Sequence, residues 1–465
     1  MKRIVSFVLI LSCAACTTGT YYQSNQSFNQ EFETGDLQGA LTTLQAKSSE
    51  ASGKKEFLYD VNNGLVLSML GRYDESNQYF EKAYLFGEDY RMNYLNEATS
   101  YLTNPNFTTY RGEDHEHLML LYYKALNYVK QNNFEDALVE CRRLNIRLQQ
   151  LSDRYSSDSK YREDAFIHLM MGVIFEAGKD YNNAFIAYRN AYDVYTSSFQ
   201  HLFNLGPPPQ LKVDMLRTAW LSGLIDEFNQ YKAKFNMPDY EYQVNNNPEL
   251  VFFWHNGLSP VKVEWGINFV VDRRDNFIYF RNENMQMVFP FNLSNYNDRD
   301  RNALSSLEIF RVAFPRYIER PVFYQKAELN VNGNNQIELE RAEDINAIAF
   351  KCLQERMNHE LSKALIRLAL KKVAEAEIKK TDRTLGSVVG MINALTEHAD
   401  TRNWQTLPHE ISYCRVPLVI GKNKVTLHVA TPGSPDTSYD FEYDAREGQT
   451  LFHTFTSLES HYPTY

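Results

Sequence analysis

The stretch Gly64-Leu65-Val66-Leu67-Ser68-Met69-Leu70-Gly71-Arg72-Tyr73, continued by Asp74-Glu75-Ser76-Asn77-Gln78-Tyr79-Phe80-Glu81-Lys82-Ala83, decides the fold of the first half of the chain. Gly64 marks a close contact between two antiparallel helices, and Gly71 marks the turn between them. Tyr73, Ser76, Phe80 and Ala83 follow at the three- and four-residue spacing of one helix face. The same register returns in Gly172, Phe175, Tyr181, Ala184, Tyr188 and Ala191, and more weakly in Ala125, Tyr128, Phe134, Ala137, Cys141 and Leu144. A partial copy lies at Gly35-Asp36-Leu37 with Ala40 and Leu44.

Small, aromatic and alanine positions in this order form a tetratricopeptide-like pattern, in which helix pairs stack on one another. The three fuller copies start at 64, 125 and 172, not at a regular interval of about 34 residues, so insertions are expected near Asp89–Glu116 and Gln149–Glu163. The repeat domain is expected over residues 17–245, ending in the Pro-, Asn- and Asp-rich run Pro238–Pro248. A stacked array offers a groove for a peptide or protein. The alternative is a groove filled by the chain's own residues.

The second half reads as strands interrupted by helix. Val261, Val263, Trp265, Ile267 and Phe269 alternate with polar or small residues, the period of a half-buried strand. Leu250–Trp254, Pro260–Val271, Phe277–Phe280, Met287–Phe291 and Arg320–Leu329 are expected strands, with Asn256-Gly257 and Asn332-Gly333 as hairpin turns. Glu343–Lys380 carries Ile345, Ile348, Cys352, Leu353, Met357, Leu361, Leu365 and Leu368 at helical spacing without Gly or Pro, and Leu385–Glu397 reads as a shorter apolar helix. Strands return at Ile411–Pro417, Lys424–Thr431, Tyr439–Tyr443 and Thr450–Phe455. The expected fold is therefore an α+β multidomain chain: an all-α repeat array, then a β-sandwich-like domain over 246–342 and 400–465, interrupted by a helical insert over 343–399. The hairpins of the C-terminal strands would complete its sheet.

The chain opens Met1-Lys2-Arg3, is apolar from Ile4 to Leu11, and reaches Ser12-Cys13-Ala14-Ala15-Cys16. That is a basic region, an apolar region too short to span a bilayer, and small residues before a cysteine. It resembles the signal peptide and lipobox of bacterial lipoproteins over residues 1–16. The resemblance implies acyl chains on Cys16, with Cys13 as the alternative, and an outer-membrane protein facing the periplasm. The covalent lipid would be the only non-protein group, and membrane contact would run through it.

Net charge is −10, and about −12 once Lys2 and Arg3 are removed. An acidic chain without a basic stripe argues against nucleic acid as partner. Beyond the signal only Cys141, Cys352 and Cys414 remain, an odd and widely spaced set that defines no disulfide framework. His115-Glu116-His117 places its histidines at i and i+2, off a common helix face, so capping of the next helix from Glu113 or Asp114 is the better account. His359-Glu360 and His409-Glu410 lack the His-Glu-x-x-His spacing, and neither a Gly-x-Ser-x-Gly elbow nor a phosphate-binding Gly-x-x-x-x-Gly-Lys loop is present. The expectation is no metal, no cofactor and no catalysis.

Several segments together resemble a broad family of poorly characterised bacterial tetratricopeptide-containing cell-envelope lipoproteins. They are Tyr110-Arg111-Gly112-Glu113-Asp114-His115-Glu116, Gly206-Pro207-Pro208-Pro209-Gln210-Leu211, Asn256-Gly257-Leu258-Ser259-Pro260 and Glu397-His398-Ala399-Asp400-Thr401-Arg402-Asn403-Trp404. The resemblance implies a cell-envelope binding or scaffold protein, with envelope proteins or peptides as partners, peptidoglycan-synthesis lipoproteins among them. The residues also allow a plain reading in which Asp400 and Arg402 pair against the Trp404 indole and lock the junction where the insert rejoins the β domain.

Overall fold

The computed structural model describes residues 20–92, 109–154, 163–244, 246–274, 276–294, 309–381, 398–433 and 435–461. Cys13, Cys16 and the apolar stretch Leu385–Glu397 lie outside the described residues.

Among the described residues, five helix pairs follow one another: α1 (Gln26–Glu33) with α2 (Leu37–Ala46), α3 (Glu56–Met69) with α4 (Tyr73–Met92), α5 (Asp114–Lys130) with α6 (Phe134–Arg154), α7 (Ala165–Ala177) with α8 (Tyr181–Val194), and α9 (Pro209–Leu221) with α10 (Ile225–Lys234). Each pair turns through a residue of positive φ two places before its second helix: Gly35, Gly71, Asn132, Lys179 and Gly223. The left-handed conformation reverses the chain in the fewest residues, and glycine adopts it without a Cβ clash.

Close packing within a pair is a matter of matched volumes sixteen residues apart. A Cβ on Gly64 would lie 2.7 Å from the Phe80 ring, and one on Gly172 would lie 2.3 Å from the Tyr188 ring. At the corresponding place in the third pair, Ala125 is matched by the smaller Cys141, both buried. Ala83, Ala137, Ala184 and Ala191 are fully buried, while Tyr73, Tyr128, Phe134 and Tyr181 are half-buried at the ends of the helices. Polar groups join neighbouring pairs as well: Asn127 Nδ2 donates to Ser76 Oγ and Asn77 Oδ1, both at 2.8 Å.

The strands are β1 (Glu249–Asn256), β2 (Val261–Arg274), β3 (Phe277–Asn282), β4 (Met287–Asn292), β5 (Ile309–Ile318), β6 (Lys326–Val331), β7 (Asn334–Glu338), β8 (Glu340–Asp344), β9 (Glu410–Pro417), β10 (Gly421–Ala430), β11 (Thr437–Ala445) and β12 (Thr450–Ser457). They form three sheets, ordered β12-β1-β9-β8, β11-β10-β6-β7 and β4-β3-β2-β5. The first two stack as a sandwich through Leu250, Phe252, Trp254, Cys414 and Val416 against Leu329, Val425, Leu427 and Val429. The opposite face of the first sheet, with Val251, Phe253, Ile411 and Tyr413, packs on the helix pairs. The result is three layers (helices, sheet, sheet), in which β1 and β9 are buried on both faces; β1 reads as a nearly continuous apolar run, whereas β9 also buries Ser412 and Arg415.

Several elements differ from the sequence reading. The third sheet belongs to no sandwich; it packs on the helix α11 (Ile345–Thr381) and makes its own core, with Ile267, Phe269, Ile278 and Phe280 against Ala349, Leu353, Leu361 and Leu365. Strand β5, absent from the strands expected from the sequence, is the main partner of β2. Only Lys326 onward of the expected Arg320–Leu329 strand is extended in a sheet. Asn256-Gly257 closes no hairpin: it hands the chain from the first sheet to the third. Asn332-Gly333 does close one, both residues having positive φ as a two-residue hairpin loop requires. The last strand leaves its hairpin neighbour and pairs parallel with β1 across the sequence. The change from helix to strand near residue 245 separates two kinds of element but not two cores, because one apolar cluster runs from Tyr21 through the helices to Tyr413. Cys141, Cys352 and Cys414 are buried free thiols. No helix of the described residues is long and apolar enough to cross a membrane.

Candidate functional site

The first helices of the pairs would line a binding groove, and in this protein that face is covered. Beneath β1, Tyr122 OH and His255 Nε2 share a hydrogen bond of 2.9 Å. At the end of the array nearer the N-terminus, the cover is the irregular segment Ala399–His409, which leads into β9. Arg402 Nη1 donates to the Lys54 carbonyl (2.8 Å), Gln405 Nε2 to Asn29 Oδ1 (2.7 Å) and Thr406 Oγ1 to Asn62 Oδ1 (2.8 Å). The Trp404 backbone N–H donates to Glu116 Oε1 at 2.6 Å. The Trp404 ring lies 6.1 Å from each of the Phe80 and Tyr123 rings. On its other side the segment is held by Arg320, which donates to the Ser259 and Gln405 carbonyls, and by Asn403 Nδ2, which donates to the Pro260 carbonyl. Trp404 and Leu407 are essentially inaccessible. The segment therefore occupies the repeat face as a bound peptide would, but as part of the same chain.

The sequence-selected trio Asp400, Arg402 and Trp404 comes together here in a modified arrangement. Arg402 forks onto Asp400 through Nε (2.8 Å) and Nη2 (2.7 Å). Its guanidinium lies over the Tyr110 ring at 5.2 Å, not on the indole, which is engaged by Phe80 and Tyr123. Glu113 is the N-cap of α5, and its backbone N–H donates to Glu116 Oε2 at 2.9 Å, while its own carboxylate faces Lys262 and Arg356. Burial raises the pKa of Glu113, but its contacts with Arg356 and Lys262 more than offset this and hold the carboxylate well below the usual range. Burial, reinforced by the Glu113 charge, pushes Glu116 up to about 7. His115 is driven down to about 4, chiefly by burial. His117 turns elsewhere, to the Arg111 carbonyl at 2.8 Å. Among the described residues no three His, Cys, Asp or Glu side chains are grouped to hold a metal.

Two open clefts flank the covered face. One, of about 700 Å³, lies between α1 and the end of β12 and is lined by Tyr22, Gln26, Gln30, Arg320, Leu458 and His461, among others. Glu33 orders its wall by accepting from Tyr22 OH (3.0 Å) and Arg320 Nη1 (2.9 Å). The second, of about 340 Å³, lies where α7 and α9 meet the ends of β1, β9 and β12. Both depend on buried charges that sequence reasoning passed over: Arg320, Arg415 and Glu176. For Arg415, and for Lys262 outside both clefts, the available signal was a charged residue between apolar neighbours in a strand. Arg415 sits between Cys414 and Val416, and Lys262 between Val261 and Val263, where burial demands an ionic partner.

Neither a protein-family model nor a curated protein matches the chain. Solved structures with tetratricopeptide-like repeats are similar to its helical part. The apo form of RapI aligns at 13% identity and TM-score 0.33, over 46% of this chain and 52% of RapI, about half of that protein's length. A P. anserina kinesin light chain protein with nearly identical TPR-like repeats aligns at 12% identity and TM-score 0.29, over 46% of this chain and 96% of its own. The Rap conjugation regulator of plasmid pLS20, solved with the Phr* peptide, aligns at 12% identity and TM-score 0.27, over 48% and 58%. The class of the helical half rests on its own geometry: stacked antiparallel pairs with a small residue facing a ring, closed by left-handed turns.

Proposed function

We propose that the protein is a lipid-anchored, non-catalytic scaffold of the bacterial cell envelope, which docks an extended peptide segment of a partner protein in the cleft beside α1. The observation that carries this reading is the covered repeat face. With Ala399–His409 bound there, a partner has to dock elsewhere, and the 700 Å³ cleft falls within the size range of sites that bury a ligand. Its wall offers the amides of Gln26 and Gln30, which suit the N–H and C=O groups of a peptide backbone. Tyr22 lies six residues beyond Cys16, so an acylated Cys16 would hold the cleft within about 20 Å of the membrane surface. The partner class carried by the family resemblance, proteins of envelope assembly, fits such a position. The rival reading is a structural lipoprotein, in which the self-filled face serves only to hold the sheets.

The test is site-specific photocross-linking from Gln26 in cells, with Val419 at the far tip of the sandwich as control and a Cys13→Ser/Cys16→Ser chain as reference. One envelope protein joined at Gln26, absent from Val419 and lost from the unanchored chain, is the expected result. Equal adducts at both positions, or none, would leave the structural reading in its place.

A further inference from the structure

The smaller cleft carries a second assignment, independent of the scaffold reading. Its floor is a ring of ionic contacts, closed by Arg415 Nε at 3.3 Å from Asp214 Oδ1. Arg217 donates to Glu176 through Nε (2.6 Å) and Nη2 (3.0 Å), and to Asp214 Oδ1 (2.6 Å). Arg415 Nη2 donates to Glu176 Oε2 (2.8 Å) and Tyr188 OH (3.0 Å), while Nη1 reaches Glu249, which also accepts from Thr450 Oγ1 (2.9 Å). Glu176, Arg415 and Asp214 are buried, so these groups cannot swing toward an arriving ligand. They present fixed carboxylate and guanidinium edges.

Charge decides which ligand suits such a floor. Within the ring, Glu176, Glu249 and the fully buried Asp214 are matched by Arg217, Arg415 and, at the rim, Lys179, while Glu340 and Glu447 stand behind the lining residues Gln210 and Asn246. Burial acts to raise Glu176, but Arg217 and Arg415 hold it down at about 2, so the balance persists at neutral pH. A balanced ring gives neither the excess positive charge that selects phosphates or carboxylates nor the excess negative charge that selects cations. Its paired donors and acceptors suit a neutral ligand dense in hydroxyl groups, since each hydroxyl both donates and accepts.

The rim adds the other half of the chemistry. Tyr181 and Tyr242 are half-buried at its edge, and Tyr242 packs at 5.3 Å on Trp220. An aromatic ring at the edge of a cleft, with negative π density on its face, attracts the polarised C–H groups of a pyranose ring. Asn246, Asn247 and Gln449 bring amides from the segments entering β1 and β12. A cleft of 340 Å³ stands at the small end of ligand sites and holds one or two sugar rings.

We propose that this cleft binds a neutral saccharide, a unit of an envelope glycan or a free sugar. The full mature chain is applied to an array of immobilised neutral and acidic oligosaccharides, and the best neutral hit is titrated in free form by calorimetry. Two variants accompany it: Tyr242→Ala removes the rim platform, and Asn247→Trp fills the cleft from an exposed position. Saturable binding of a neutral glycan, weakened about tenfold or more in both variants at unchanged melting temperature, is expected. If Tyr242→Ala melts early, Asn247→Trp alone decides. A polymer-bound hit that fails as a free monosaccharide assigns the source to a glycan strand; one that binds equally well as the free sugar assigns it to a small solute. No neutral glycan bound, acidic glycans only, or unchanged affinity in Asn247→Trp overturns the assignment.

Discussion

Trp404 and Glu116, 288 residues apart, are joined by a hydrogen bond from the Trp404 backbone N–H to Glu116 Oε1 at 2.6 Å. Glu116 also accepts from Tyr110 OH (2.8 Å) and from the Glu113 backbone N–H (2.9 Å). One carboxyl thus fastens the start of α5 to the segment that covers the repeat face. The joint is the clearest sign that helices and sheets fold as a single body.

If that segment is structural, its anchor is expensive to remove. Trp404→Ala deletes a fully buried indole between Phe80 and Tyr123 and is expected to cost about 3–5 kcal/mol. Urea denaturation should show a single transition at lower midpoint. Two separate transitions, with the helical one unchanged, would mean that the segment is a detachable cover.

The matched volumes at positions sixteen apart predict a compensating pair. Gly64→Ala drives a methyl into the Phe80 ring and should cost about 1–3 kcal/mol. Combined with Phe80→Cys, which copies Ala125 and Cys141, the added methyl should cost much less than it does alone. A double-mutant cycle measures the difference, and strict additivity would refute the volume-matching account.

Lys179 occupies, at φ +62°, the turn position that Gly35, Gly71 and Gly223 fill elsewhere. The left-handed conformation costs a residue with a Cβ about 1–2 kcal/mol, partly offset by the greater freedom of glycine when unfolded. Lys179→Gly is therefore expected to stabilise the chain by about 0.5–1 kcal/mol, read as a higher denaturation midpoint.

Glu343 on β8 has its pKa raised well above the ordinary value, first by burial and then by Asp164. The folded state therefore holds a proton that the unfolded state has released once pH passes the ordinary carboxylate range of about 4.5. More protons bound in the folded state means stability that falls as pH rises through that window. Glu343→Gln keeps a donor toward Asp164 and removes this titration. Its melting temperature should decline less than that of the parent between pH 5 and pH 8, and parallel curves would count against the pair.

Much of the helical half was legible because its determinants are local. Gly64, Gly71, Phe80 and Ala83 fall within twenty residues, so spacing alone reports the helix pair and its turn. The partial copy at Gly35 is a true pair, with Asp36 capping α2 by accepting from the Gly39 N–H. The strands were found less well. Pro315 and Arg316 interrupt the apolar alternation of β5 after Phe314, and Asn256-Gly257 has the composition of a hairpin while serving as a crossover between sheets. The candidate clefts were not legible, since Tyr22 and His461, or Glu176 and Arg415, meet only after the chain has closed.

The stacked helix pairs and the long helix of the insert follow from the sequence alone, because each is written in neighbouring residues. Only the tertiary structure decided that the repeat face is covered by Ala399–His409, that β12 pairs parallel with β1, and that a third sheet builds its own core on α11. The reason is physical: a hydrogen bond such as Trp404 to Glu116 joins groups with no sequence spacing in common. Its partner is chosen by the shape that remains once every apolar face has been buried.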